Sequence, residues 1–259
     1  MTLLVAYVED DNKTLTRLHI HQYNDQYKGK IVCAYGHRLI AKRGDKKMHH
    51  YAHQAGEGTD CVHENKGEWH VEMQSHIEDD CVEVPIADPI TGRILHIADV
   101  LCDGRVIEFQ KSPMSQTKMG EREDFYTRTM GYTMCWVFCC VPGETGIVIK
   151  TTKIEGNIAF MQWISGSKFP LWCNMQNQNL VSYLDLGTMD LFEILAIKGA
   201  WLMTRIVRLS VFEKEWYGSH SVKPSQTIWE RHPTYAKIQN DAQQDVQSMK
   251  KAFYKPKRR

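Results

Sequence analysis

The segment from His96 to Gln110, HIADVLCDGRVIEFQ, holds two carboxylates and an amide that a hairpin would bring together. Asp103-Gly104 lies between two apolar runs. This pair suits a type I′ turn, which needs positive φ at both central positions. A two-residue loop there sets Cys102 against Arg105, Leu101 against Val106, Val100 against Ile107 and Asp99 against Glu108. Opposed residues on an antiparallel pair share a face, with Cβ atoms roughly 4.5–5.5 Å apart. Gln110 joins that face, while Val100, Ile107 and Phe109 point the other way. Two opposed carboxylates repel, and a divalent cation between them turns the repulsion into a binding site. Oxygen ligands of this kind suit Mg²⁺ or Mn²⁺. Asp99 and Glu108 are thus candidate metal ligands, with Gln110 on the same face. Carboxylates aimed at opposite sides of the sheet, or pinned by a lysine or arginine, would remove that case.

Upstream, the spacing of Trp69, Met73 and Ile77 predicts a helix from about Glu64 to Asp79 with a buried stripe. Glu68 and Glu72 lie four apart and share another face. Either one would be a third acid, delivered by the helix over the sheet, with His70 between them along the chain. Further upstream, residues 30–62 are rich in His, Lys and Gly with little periodicity. Cys33, His37, His53 and Cys61 there make a ligand set of the kind structural Zn²⁺ takes, although His49, His50 and His63 compete for the same roles.

The rest of the 259 residues must position these groups. Two short strands are expected within residues 2–21, and further strands over 82–86, 94–101, 105–110 and 132–140. A helix opened by Ser112-Pro113 should run to about Met130, where Gly131 ends it. Beyond Pro142 short strands dominate, including 147–151 and 191–197. A helical spacing over 238–253 precedes a basic end. The boundaries fall at 1–63, 64–150 and 151–259. Trp163, Trp172, Trp201 and Trp216 read either as core or as stacking platforms for unpaired bases.

Charged residues at 24% and a net charge of +1 describe an ordinary globular chain without a global basic field. Two local basic runs, one around Lys42–Lys47 and one from Lys250 to Arg259, could neutralise phosphates. No apolar run is long enough for a membrane span, and acidic residues come too early for a secretory leader, so a cytoplasmic protein is expected. Eight cysteines, widely scattered, do not make a disulfide framework, and no Gly-rich phosphate loop is present.

Glu on a helix, Asp on a strand, then Glu-x-Gln on the paired strand resembles the PD-(D/E)xK nuclease superfamily. EWH at 68–70, IADV at 97–100, IEFQKSPMS at 107–115, Glu121, Arg122, Phe125 and Tyr126, and Cys33, Gly36-His37 and HHYAH at 49–53 are similar to the competence protein CoiA-like family. The resemblance covers roughly residues 30–140. It implies an α+β, restriction-endonuclease-like mixed sheet flanked by helices, with an N-terminal zinc-binding-like module and a β-rich C-terminal region. It also implies hydrolysis of DNA phosphodiesters by Mg²⁺ or Mn²⁺ bound at Asp99, Glu108 and Glu68. Gln110 would orient water, while Arg122, Lys111 and His70 would contact nucleic acid. The DNA could be single-stranded, duplex or branched, and a homodimer is compatible with this scheme. Two positions depart from the family pattern. Gln110 replaces a frequent lysine, and Gln74 stands four residues after His70 where relatives often carry lysine. A catalytically inactive DNA-binding or recombination factor is therefore the alternative, with an RNA-directed nuclease of the same fold behind it.

Overall fold

The computed structural model of the chain describes residues 3–10, 14–45, 49–57, 66–75, 77–166 and 180–217. The expected tail helix, together with Cys61, His63 and Trp172, lies outside the described residues. Three strands, β1 (Val5–Glu9), β2 (Leu15–His19) and β3 (Ile31–Val32), form a small sheet, and β4 (Leu39–Lys42) pairs with β5 (His50–His53). Helix α1 (Glu68–Gln74) leads to β6 (Val82–Ala87) and then to the hairpin of β7 (Ile94–Cys102) and β8 (Arg105–Gln110). Next come α2 (Gln116–Asp124), a π-turn over Phe125–Thr129, and β9 (Thr133–Cys139). Five more strands follow: β10 (Val148–Glu155), β11 (Ile158–Ser165), β12 (Leu180–Asp185), β13 (Asp190–Lys198) and β14 (Trp201–Arg208). The described chain closes with α3 (Leu209–Tyr217).

Nine of these strands make one mostly antiparallel sheet in the order β10-β11-β14-β13-β12-β9-β8-β7-β6. Only β9 runs parallel to its neighbours, β8 and β12. Residues Met134 to Cys139 are fully buried, which is why their sequence is a continuous apolar run rather than an alternation. Strands on both sides of residue 150 belong to this one sheet.

Each face of the sheet carries its own core. Trp69, Val71 and Met73 of α1, Phe212 and Trp216 of α3, and Leu4 and Tyr51 from the N-terminal strands pack with Ile107, Phe109, Val137 and Tyr183. Met119 and Tyr126 pack with Val106, Trp136 and Phe138 on the other face. Helix α2 is capped by Ser115, which accepts from the Lys118 amide, so the helix starts three residues later than Ser112-Pro113 suggested. Helix α1 is also shorter than expected, seven residues long; Trp69 and Met73 within it and Ile77 beyond its end are buried as predicted. One disulfide, Cys81–Cys102, ties the entrance of β6 to the end of β7, a pairing no spacing in the sequence announced.

Candidate functional site

The hairpin forms as its turn residues dictate. Asp103 and Gly104 have φ of 46° and 74°, and the register pairs Cys102 with Arg105, Leu101 with Val106 and Val100 with Ile107. One residue further, the ladder opens. Ala98 and Val100 have the same parity along β7, yet they enter opposite cores, so the strand is irregular at Asp99. Side chains take over the lost ladder bonds. The Asp99 amide donates to Glu108 Oε1 at 3.4 Å, and the Phe109 amide donates to Asp99 Oδ2 at 3.0 Å.

The two carboxylates are neighbours, but each is held by a different layer. Asp99 Oδ1 lies 3.0 Å from Lys66 Nζ and 3.0 Å from His70 Nε2, both on the α1 side. Glu108 Oε2 accepts from Arg122 at 2.8 Å and Oε1 from the Tyr126 hydroxyl at 2.8 Å, both on the α2 side. Burial alone would push the Asp99 carboxyl up. His70 and Lys66 outweigh it and hold this group well below the usual carboxylate range. Burial likewise disfavours a charged Lys66, but Asp99 and Glu83 hold its ammonium above its ordinary range. Burial, then Glu108, raises the Tyr126 phenol, which therefore stays a hydrogen-bond donor.

Several expectations need correction here. Glu68 is exposed at the start of α1 and does not join the cluster. The four-apart pair facing Asp99 is instead His70 and Gln74, whose amide donates to the Asp99 carbonyl at 2.8 Å. The third acid is Glu83 of β6, which accepts from Lys66 at 3.0 Å and from the Leu4 and Val5 amides at 3.2 and 3.1 Å. Glu83 has φ of 51°, a strained conformation for a residue with a Cβ. His70 is buried against Asp99 and Phe109 rather than turned toward a ligand. Lys111 pairs with Glu144, and Arg122 is engaged by Glu108. Lys66, which no sequence signal singled out, stands 3.4 Å from Gln74 Oε1 and supplies the cation that Gln74 and Gln110 lack.

These residues do not fit a divalent ion in the arrangement described. Both oxygens of Asp99 and both of Glu108 already have partners, two of those partners are cations, and Lys66, Asp99, Glu108 and Gln110 are all buried. One oxygen is left over. Gln110 donates through Nε2 to the Ser112 carbonyl at 2.6 Å, which fixes its amide orientation, and its buried Oε1 has no donor among the described residues.

Two further ties position the site. Trp69 Nε1 of α1 donates to Asp185 Oδ2 of β12 at 2.7 Å. Trp136 Nε1 of β9 donates to Glu123 beside Arg122 at 2.9 Å.

The Cys/His module gathers as its spacing suggested. Cys33 and His37 close a tight turn in which the Cys33 amide donates to the His37 carbonyl at 2.8 Å, and Gly36 takes φ of 85°. The β4–β5 hairpin delivers His53. The ligand atoms of Cys33, His37 and His53 lie within 4.8 Å of one another and could hold a metal such as zinc. Burial, then His37 beside it, holds His53 below the ordinary imidazole range, in the neutral form that ligates.

No protein-family model, no curated protein and no solved structure matches this chain.

Proposed function

We propose that this chain is a DNA-engaging processing or recombination factor with a nuclease-type centre closed by its own cations, and that it does not cleave. The observation that carries the closed centre is the occupation of Asp99 by Lys66 and His70 and of Glu108 by Arg122 and Tyr126. The motif residues His70, Asp99, Glu108 and Arg122 are linked by direct contacts from four separate elements, which supports descent from a nuclease-type arrangement. A buried cluster of acids and bases is costly to desolvate and is weak as a source of stability alone, so its presence points to a site. Zinc at Cys33, His37 and His53 serves as the structural metal of the N-terminal module in this reading, with Cys61 as the expected fourth ligand.

A second reading is metal-dependent hydrolysis of the same substrate. The donorless Gln110 Oε1 favours it, because a buried amide oxygen two residues along β8 from Glu108 can accept from a water. It requires Mg²⁺ or Mn²⁺ to displace Lys66 from Asp99. Purified protein is incubated with single-stranded, duplex and branched DNA in Mg²⁺, Mn²⁺ or EDTA, alongside Asp99→Ala. Binding without metal-dependent cutting is the expected result. Cutting that needs the metal and disappears in Asp99→Ala would overturn the closed-centre reading in favour of the second.

A further inference from the structure

Far from the acid cluster, the outer end of the large sheet has a face that none of the described residues covers. The register places Lys150, Gln162, Trp201 and Lys198 in one row across β10, β11, β14 and β13. The next row is Lys153, Phe160, Met203 and Ala196. All eight therefore share one face, since the intervening Ala159, Met161, Leu202 and Thr204 are buried on the other. Helix α3 covers the same side further along, over Tyr183, and leaves these two rows open.

The exposed residues are of two chemical kinds. Trp201 is 50% exposed and Met203 36%, although large apolar side chains on a strand normally turn inward. Phe160 is half-buried beside them, directly opposite Met203. Diagonal neighbours such as Phe160 and Trp201 lie roughly 7–8 Å apart, within reach of adjacent unstacked bases. Around this centre stand exposed lysines. The acids of the face are already spent, Glu155 on Lys153 and Glu193 on Arg205, with Arg205 Nε donating at 2.7 Å. Lys150 and Lys198, at the two ends of the Trp201 row, form no ion pair among the described residues.

We infer that this face binds single-stranded nucleic acid, with bases stacked on Trp201 and Phe160 and phosphates met by Lys150 and Lys198. An aromatic centre between lysines is complementary to a strand with apolar base faces and a charged backbone. A duplex, whose bases are already stacked, has nothing to place on Trp201. The inference rests on the DNA-engaging reading and assigns it a surface; the acid cluster plays no part in it.

The test uses the full chain, without added Mg²⁺ or Mn²⁺, and a short fluorescein-labelled oligothymidylate read by anisotropy. Trp201→Ala alters an exposed side chain, and circular dichroism should not change. Its dissociation constant should rise about tenfold or more. Lys150→Ala with Lys198→Ala should flatten the dependence of log affinity on log salt by roughly 1.4, at roughly 0.7 per phosphate contact on a single strand. Unchanged affinity in Trp201→Ala would overturn the assignment of this face while leaving DNA engagement elsewhere intact. Failure of the wild type to bind any DNA would overturn both. Equal loss on single strands and duplex would exclude stacking. A dimer that Trp201→Ala dissociates, with oligonucleotide affinity unchanged, would assign the face to a second copy of the chain and overturn the inference.

Discussion

Lys66→Met tests whether the acid cluster is closed by its own charges. The ammonium lies 3.0 Å from both Asp99 and Glu83 and is 8% exposed. Methionine keeps most of the volume and removes the charge, leaving two buried carboxylates short of a partner. Removing one member of a buried pair costs about 3–5 kcal/mol. The lower end applies here, because Asp99 keeps His70 and the Phe109 amide, and Glu83 keeps two backbone amides. At this chain size about 1 kcal/mol moves Tm by about 2–4 °C, so a loss of about 3 kcal/mol should lower it by roughly 6–12 °C at neutral pH. Adding Glu83→Gln removes one of the orphaned charges and should restore part of that loss. Differential scanning calorimetry on the three proteins reads both effects. A drop under roughly 2 °C for Lys66→Met would refute the idea that Lys66 closes the cluster.

Glu213, buried on α3, has its carboxyl pushed up by desolvation to about 7. A raised acid makes the folded state hold its proton, so stability falls as pH rises from the unfolded value near ~4.3 through the folded one. Glu213→Gln should therefore stabilise the protein by about 2–3 kcal/mol above neutrality and change little near pH ~4, measured by urea unfolding at both pH values. Zinc measured by plasma emission should be about one per chain, and Cys33→Ser or a strong chelator should remove it and loosen the N-terminal strands in hydrogen exchange. Gly104→Ala places a Cβ at φ of 74° and should cost about 1–2 kcal/mol in denaturant unfolding.

The parts of this molecule visible in its sequence are those fixed by short-range chemistry. Asp103-Gly104 could only make one kind of turn, and it set three residue pairs of the hairpin correctly. The unbroken apolar run of β9 announced a strand buried on both faces, and Cys33, His37 and His53 came together as their chemistry suggested. Period-2 reasoning failed at Asp99, where β7 abandons its regular pairing and side chains replace ladder bonds. Glu83 lies between Val82 and Val84, so alternation reads it as an ordinary outward-facing acid. Its role depends on partners in two distant segments, Leu4-Val5 and Lys66. Lys66 precedes α1 outside any periodic element, and nothing local distinguishes it from a surface lysine. Of the tryptophans weighed as stacking platforms, Trp163 is buried in the core of the face opposite α3, Trp216 is buried on α3 itself, and Trp201 is half exposed.

Charge decides between the two readings of the centre. Asp99, Glu108 and Glu83 bring three negative charges, and Lys66 and Arg122 return two, leaving one for the surroundings to balance. A divalent ion added to this set would overcharge it, so an ion can enter only as a resident cation leaves. The two residents are not equally placed. Lys66 is 6% exposed in its side chain, whereas Arg122 is 20% exposed. A phosphate reaching the cluster meets Arg122 first, and its pull on that guanidinium weakens the grip on Glu108. DNA bound at Arg122 would thereby ease the entry of a metal ion, which stays excluded while both resident cations hold the carboxylates. Mn²⁺ affinity measured by electron paramagnetic resonance should rise with DNA present and in Lys66→Met. Mn²⁺ that binds equally well to the wild type without DNA would show that the carboxylates were never closed.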